Sequence, residues 1–289
     1  MIYRLLALNI DGTLLQSNGK LHKSTKEAVE YVQQKGILVT LVTSRSFPSA
    51  RKVAKVLKII TPLITHQGAY ISGVQAKPIY VKRINEEITY DVVRFLEAIP
   101  CQIRLVHEQF SLANKFKLSH NLLAKTVFTS GDPVFYSQQF VSSLSEYLHD
   151  QPVSPPKIEV YFETKKDLED GVLAFRKMFV EIDTIKLNSL RLDIVPAGVS
   201  KWSALSYLGK QLGISSQEMV VIGDGLDDIG MIEEVGLGVA MGNAEYAVKR
   251  AADWITRSEN EHGVAYMVKE HFRKQQPIEF LRKMNIIKK

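Results

Sequence analysis

Side chains that could bind phosphate or a divalent cation stand at the ends of short apolar segments in this chain. Asn9 and Asp11 follow one such segment, Thr43 and Ser44 follow another, and Lys201 lies just before a predicted helix. Carboxylate oxygens suit Mg²⁺, which usually takes one or two carboxylates together with phosphate and water. A hydroxyl and a lysine can donate hydrogen bonds to phosphate oxygens and offset the charge that develops there.

A third group of polar residues, Asp224, Asp227 and Asp228, follows the apolar segment 219–222. Each signal is weak alone, because Asp-Gly-Thr is often a plain turn and acids after a strand also favour the positive end of the next helix. In open α/β sheets, however, ligands bind beyond the carboxyl ends of the strands. The shared placement of these groups therefore predicts one site for a divalent cation and a phosphate.

The two ends of the chain alternate predicted strands and helices. A continuous apolar, β-branched run such as 37–42 is typical of a strand buried on both faces of a parallel sheet. The alternation predicts an α/β fold with a doubly wound, Rossmann-like parallel sheet. The predicted strands are 2–8, 37–42, 63–65, 219–222 and 237–240, and the predicted helices are 24–34, 48–57, 202–212, 227–235 and 244–252.

The middle of the chain differs, with longer polar helices and a proline-rich loop at 151–156. Segments 157–162 and 190–194 partly alternate apolar and polar residues, as half-exposed strands do. We therefore predict a discontinuous core domain, residues 1–82 and 190–289, and an inserted α+β domain, residues 83–189.

Composition narrows the class of protein. Apolar residues make up 45% of the 289 and charged residues 24%, which is ordinary for a soluble globular protein. The single cysteine, Cys101, excludes an internal disulfide, fits a reducing compartment and is expected to be a small buried side chain. No stretch approaches the roughly 20 apolar residues of a membrane span. We expect a cytoplasmic protein without a membrane partner.

The net charge of +6 suits small anionic ligands, although scattered basic residues serve solubility equally well. The basic tail, residues 272–289, could contact nucleic acid, but its apolar side chains favour a terminal helix packed on the core. We therefore expect no nucleic-acid partner. The apolar side chains of the tail are Phe280, Leu281, Met284, Ile286 and Ile287.

Four ordered motifs resemble those of the haloacid-dehalogenase (HAD) superfamily, in its Cof-type branch of phosphatases with a large α+β cap. The family pattern is Asp-x-Asp-Gly-Thr, Thr-Gly-Arg, Lys and Gly-Asp-x-x-Asn-Asp, and the corresponding positions here are 9–13, 43–45, 201 and 223–228. The resemblance covers essentially the whole chain, with the cap as the middle insertion. It implies a Mg²⁺-dependent phosphatase that hydrolyses phosphate monoesters of small metabolites.

The resemblance also implies a role for each matched residue. In such enzymes the first Asp attacks phosphorus to form an aspartyl-phosphate, and the second Asp is the acid and base. These positions are Asn9 and Asp11 here. The implied phosphate contacts are the Ile10 backbone N–H, Thr43, Ser44, Lys201 and Asp227, and the implied Mg²⁺ ligands are Asn9, the carbonyl or carboxylate of Asp11, and Asp224, with Asp228 in support.

Two residues depart clearly from the family pattern. Asn9 stands in the place of the nucleophilic Asp, and attack by an amide oxygen gives no stable acyl phosphate. Asp227 stands where the family has Asn, and a carboxylate there repels phosphate unless it is protonated or bound to metal. Ser44 and Trp202, each in place of a family Gly, are milder changes.

Three explanations of these departures are open. A change introduced at position 9 to trap a substrate would leave the rest of the site normal. Drift toward a non-catalytic protein would loosen several motifs together, which fits the altered positions 44, 202 and 227 better. Alternatively, Asp227 restores charge near the metal so that a metal-bound water attacks directly.

Two functions are therefore open as well. The first is a phosphatase of small phosphorylated metabolites, slow or inactive because of Asn9. The second is a non-catalytic protein on the same fold that binds a phosphorylated metabolite for regulation. Either could be a monomer or a dimer, and residues 83–189 contain no readable motif for one particular substrate.

Overall fold

The computed structural model describes residues 2–73, 77–115 and 137–287 of the chain. No helix within these ranges is both long enough and apolar enough to cross a membrane. The strands are β1 (Leu5–Leu8), β2 (Leu38–Leu41), β3 (Leu63–Thr65), β4 (Tyr70–Ser72), β5 (Pro78–Val81), β6 (Cys101–Val106), β7 (Phe110–Asn114), β8 (Ser137–Val141), β9 (Lys157–Phe162), β10 (Ile182–Lys186), β11 (Arg191–Pro196), β12 (Met219–Gly223), β13 (Leu237–Ala240) and β14 (Trp254–Ile255). The helices are α1 (Lys23–Gln34), α2 (Phe47–Val56), α3 (Glu86–Glu97), α4 (Leu144–Asp150), α5 (Lys165–Met178), α6 (Lys201–Leu212), α7 (Ile229–Glu234), α8 (Tyr246–Ala251), α9 (Gly263–His271) and α10 (Ile278–Lys283).

Both ends of the chain build one parallel sheet, in the order β14-β13-β12-β1-β2. Leu5 of β1 pairs with Met219 of β12 on one side and with Leu38 of β2 on the other. All four residues of β1 are buried, as expected for a central strand with both faces covered. The chain order changes direction between β1 and β12, and ligands bind at such a point in α/β sheets. The predicted α/β fold with a parallel-sheet core and a cap is confirmed.

The middle of the chain forms a separate six-stranded sheet in the order β10-β11-β9-β6-β7-β8. We assigned residues 190–289 to the core from the sequence, but β11 pairs antiparallel with both β9 and β10. A short turn joins β10 to β11, so the chain returns into the inserted sheet before it enters α6. The inserted sheet therefore extends to Pro196, and the rest of the predicted domain division stays a prediction.

Strand β9 is buried on both faces, whereas the sequence predicted a half-exposed strand. Ile158 and Val160 belong to the apolar core of the inserted domain. Lys157 and Glu159, on the opposite face, are also buried. Charged side chains tolerate this position because they pair with one another, as described below.

The C-terminal helix packs on the core less completely than predicted. Ile278 and Leu281 of α10 are buried in the main apolar cluster, and Ile287 packs against it partly buried. Phe280, Met284 and Ile286 are about half exposed instead. The helix has only six residues, so only one narrow face of it can contact the core.

Candidate active site

The loop after β1 brings Asn9 and Asp11 against the loop after β12. Gly12 makes this approach possible, because its φ is +69° and a Cβ atom there would overlap the Asp224 carboxylate. Asn9 is buried, whereas the Asp11 side chain is 57% exposed. The first motif therefore presents one buried amide and one solvent-facing acid.

The Asn9 amide group is held by two hydrogen bonds. Its Nδ2 donates to the backbone carbonyl oxygen of Asp11 at 3.0 Å and to Asp224 Oδ1 at 3.0 Å. Thr13 Oγ1 donates to the same Asp224 oxygen at 2.7 Å. Asn9, at the position of the family's nucleophile, is thus a hydrogen-bond donor to Asp224.

Asp11 is oriented by Arg45, which follows β2. The guanidinium donates from Nε to Oδ2 at 2.7 Å and from a terminal nitrogen to Oδ1 at 2.5 Å. Such a two-point ion pair fixes the plane of the carboxylate. Thr43, fully buried at the end of β2, accepts a hydrogen bond from the Arg45 backbone N–H at 3.2 Å, which leaves its hydroxyl proton to donate.

Lys201 begins α6, where Ser200 caps the helix, and its ammonium is buried between two acids. Its Nζ lies 2.8 Å from Asp227 Oδ2 and 2.7 Å from Asp228 Oδ1. Burial alone would lower the pKa of Lys201, but these two carboxylates raise it above its usual value. Lys201 is therefore a permanently charged group at the strand ends.

The two acids beside Lys201 differ in their other partners. Asp228 Oδ2 accepts the backbone N–H groups of Asp224 and Gly225, both at 3.0 Å. Burial, opposed by Lys201, raises the pKa of Asp228. Burial is the largest single influence on the pKa of Asp227 and would raise it, but the Lys201 charge and the hydrogen bonds from Lys201 and Gln67 together hold that pKa below its usual value. Both acids pair with Lys201, and Asp228 in addition fixes the loop through the backbone N–H groups that it accepts.

Asp224 is the remaining acid of the site. Burial, together with the charge of Asp228, raises the pKa of Asp224 to about 7, although hydrogen bonds from Thr13 and Asn9 act in the opposite direction. Among the described residues, Asp224 has no salt bridge to a lysine or arginine. Since Asp11, Asp227 and Asp228 are paired with arginine or lysine, Asp224 is the acid of the site whose carboxylate is available to bind a cation.

The arrangement does not fit the Mg²⁺ ion that the resemblance implies. Within the described ranges, no group of three or more His, Cys, Asp or Glu side chains converges to hold a metal. The Asp11 carbonyl and Asp224 Oδ1 already accept the Asn9 amide, and both oxygens of Asp228 have partners. A carboxylate at position 9 would supply the ligand that Asn9 does not.

A buried charge network on the inserted sheet faces this site, and our reading of the sequence missed it. Lys157 Nζ lies 2.7 Å from Glu159 and 3.1 Å from Asp193, and it donates to the Ser44 carbonyl oxygen at 2.7 Å. Gln67 Nε2 donates to Asp193 at 3.1 Å. The alternating charges at 157 and 159 on β9 were a signal that these side chains share one face of the sheet.

The structure brings most of the predicted site residues to one edge of the parallel sheet. Asn9, Asp11 and Asp224 lie together, and Lys201 contacts the other two acids. Ile10 is buried in the apolar core, so only its backbone can serve a ligand. The Ser44 carbonyl oxygen accepts a hydrogen bond from Lys157 of the inserted sheet, a contact that the sequence analysis does not predict.

Comparisons with known proteins place this geometry in a family. The model for haloacid dehalogenase-like hydrolases matches residues 6–268. The stress response protein YhaX of Bacillus subtilis is 52% identical over 99% of both chains. Phosphatase YwpJ of the same species is 28% identical over 92% of this chain and 99% of its own. A solved haloacid dehalogenase-like hydrolase from B. subtilis superposes with a TM-score of 0.80, at 26% identity over 93% of this chain and 99% of that one. The predicted family is confirmed: the chain belongs to the haloacid dehalogenase-like hydrolases, in the Cof-type branch with an inserted cap.

Proposed function

We propose that this chain is a phosphatase of small phosphorylated metabolites with a slow turnover. The observation that carries the proposal is the buried Lys201 ammonium at the end of the parallel sheet, beside the loop that holds Asp11 and Asp224. A fixed cation at strand ends suits a phosphate dianion. The relative named phosphatase YwpJ supports the same reaction class.

In the proposed complex, phosphate oxygens accept hydrogen bonds from Lys201, the Thr43 hydroxyl, Ser44 and the backbone N–H of Ile10. Asp227 is paired with Lys201, and this ion pair offsets the repulsion that its carboxylate would otherwise exert on phosphate. The substrate's organic part then faces the inserted sheet, whose buried Lys157 holds the Ser44 loop in place.

Asn9 makes the reaction slow because it cannot form an acyl phosphate. Water attacks phosphorus directly, a new P–O bond forms and the ester P–O bond breaks. Because attack is in line, the water and the leaving oxygen lie on opposite sides of phosphorus. Asp11 donates a proton to the leaving oxygen, the attacking water releases its proton to solvent, and Asp11 then takes a proton from solvent. Enzymes that lose their nucleophile keep only the residual rate that binding and charge stabilisation supply.

The test is phosphate release from a broad panel of phosphate monoesters, for the native chain and for Asn9→Asp, Asp11→Ala and the matched surface variant Asp150→Ala. We expect slow release by the native chain, a large gain in Asn9→Asp, loss in Asp11→Ala and no change in Asp150→Ala, since Asp150 is exposed on α4. Silence of both the native chain and Asn9→Asp would refute the proposal.

One observation favours a second candidate, a regulatory protein that binds a phosphorylated metabolite without turnover. Both hydrogen bonds of the Asn9 amide stabilise the resting site and contribute nothing to attack on phosphorus. Phosphate release by the native chain that disappears in Asp11→Ala would exclude this candidate. With its single cysteine, the chain is proposed to act in the cytoplasm in either case.

A further inference from the structure

The Asn9 amide nitrogen lies between the oxygen atoms that a cation would need. It contacts the Asp11 carbonyl oxygen and Asp224 Oδ1, both at 3.0 Å. A cation held by positions 9, 11 and 224 would attract the same two oxygens. The amide N–H groups therefore do, with two hydrogen bonds, what a metal would do with two coordination bonds.

The orientation of this amide is fixed by its neighbours. Turning it over would place the amide oxygen against the Asp11 carbonyl oxygen with no proton between them, and it would lose the hydrogen bond to Asp224 Oδ1. Thr13 adds a further donor to Asp224 Oδ1 at 2.7 Å. This oxygen is thus supplied with two donors before any ligand arrives.

Three of the four acids of the site have a cationic partner without a divalent ion. Asp11 pairs with Arg45, and Asp227 and Asp228 share Lys201. An aspartate at position 9 would place a second negative charge beside Asp224, and a divalent cation would offset both. With a neutral amide at position 9, Asp224 is the one described acid of the site without a cationic partner, and Asn9 and Thr13 already donate hydrogen bonds to it.

We propose that the Asn9 amide group replaces the divalent cation in this chain, so that its strand-end site binds phosphate monoesters without Mg²⁺. The first half, the place of the amide, concerns the site before phosphate binds. The second half, metal-free binding, rests on the proposed function, because it requires that phosphate binds beside Lys201.

The first experiment measures Mg²⁺ alone, by calorimetric titration into metal-free native chain, Asn9→Asp, Asn9→Ala and the control Asn85→Asp. Asn85 is an exposed helix cap whose side-chain oxygen accepts the Glu87 N–H at 2.8 Å, and an aspartate keeps that bond. We expect Asn9→Asp to bind Mg²⁺ at least about tenfold more tightly than the native chain, because it adds a charge within about 4 Å of the ion. Asn85→Asp should match the native chain.

Asn9→Ala distinguishes two roles of the amide, one in which it occupies the place of the cation and one in which its oxygen binds the cation. If the amide occupies the cation's place, its removal frees the Asp11 carbonyl and Asp224 Oδ1, and Mg²⁺ binds at least as tightly as to the native chain. If the amide oxygen is a metal ligand, Mg²⁺ binds more weakly. Weaker binding by Asn9→Ala, or equal binding by the native chain and Asn9→Asp, would overturn the proposal. The native and Asn9→Ala chains decide the matter even if Asn9→Asp does not fold.

The second experiment titrates inorganic phosphate into the native chain with EDTA and then with Mg²⁺. We expect the two dissociation constants to agree within about twofold, since no metal contributes to the complex. Binding that needs Mg²⁺ would overturn the metal-free inference and leave the proposed function standing. Absence of phosphate binding in both buffers would remove the proposed function and the second half of the inference, and the Mg²⁺ titration would still decide the role of the amide.

Discussion

The Lys157 ammonium lies 2.7 Å from the Ser44 carbonyl oxygen, so a fully buried cation of the inserted sheet is bonded directly to the loop that follows β2. The same ammonium pairs with Glu159 and Asp193. Through these contacts, the position of the second motif depends on the inserted sheet. A change in that sheet is therefore transmitted to the loop that holds Thr43 and Arg45.

Lys157→Met is expected to destabilise the fold by about 1–3 kcal/mol, because it leaves the Ser44 carbonyl oxygen without its buried donor. Arg191 still pairs with Glu159 and Asp193 in this variant. The free energy of unfolding in urea measures this loss. Lys165→Met removes an exposed lysine that pairs with Glu169 at 3.5 Å, and it should cost less than about 1 kcal/mol. Equal losses in the two variants would show that the buried network adds nothing to stability.

Gly12→Ala should weaken both the fold and phosphate binding. The new Cβ would overlap the Asp224 carboxylate and push apart the loops that form the site. Gly19→Ala is a matched control, because Gly19 has a similar φ of +76° with no atom within 4 Å of a Cβ. Both variants carry the backbone strain of about 1–2 kcal/mol, and Gly12→Ala should lose about 1–3 kcal/mol more. Phosphate affinity should fall in Gly12→Ala alone, as measured by calorimetry.

The raised pKa of Asp224 predicts that the free energy of unfolding falls as the pH rises in metal-free buffer. Its pKa is raised to about 7 by burial, so between about pH 4 and pH 7 the folded chain keeps a proton that the unfolded chain has lost. The contribution is present below the unfolded pKa and is lost as the pH rises through the folded pKa, by at most about 1.4 kcal/mol per pH unit.

Asp224→Asn isolates this effect, because its side-chain oxygen can still accept the bonds from Asn9 and Thr13. The difference in unfolding free energy, native minus variant, should decline from about pH 4 to pH 7 and then level off. A difference that rises with pH would mean that Asp224 is ionised and stabilised in the folded chain.

Motif order along the sequence was enough to predict the parallel sheet and the convergence of Asn9, Asp11, Lys201 and Asp224. Strand ends of one sheet face the same side, so residues far apart in the chain meet there without any knowledge of side-chain contacts. The roles that the family pattern implies for these positions stay predictions. The convergence itself was predictable because it depends on topology.

Side-chain partners could not be predicted in the same way. The Asn9 amide donates to Asp224 because a buried polar atom has few possible partners. Which partner is within reach depends on how the two loops pack. Likewise, Lys157 and Asp193 lie on strands β9 and β11, 36 residues apart. The local sequence of neither strand indicates that the two side chains pair. That pairing allows the charged face of β9 to be buried as well.

Cys101 provides a probe of whether the inserted sheet opens in the native chain. Its side chain is 1% exposed, its thiol donates to the Leu96 carbonyl oxygen at 3.3 Å, and burial raises the pKa of the thiol to about 12. Because only the thiolate reacts, a disulfide reagent at about pH 8 should label the folded chain more than about 1000-fold more slowly than the chain in urea.

Labelling of Cys101 in the native chain then reports opening of the inserted sheet. Lys157→Met should speed it in proportion to its loss of stability, whereas Lys165→Met should not. A native chain that is labelled as fast as the unfolded one would show that β6 is accessible in solution, contrary to the buried position of this strand.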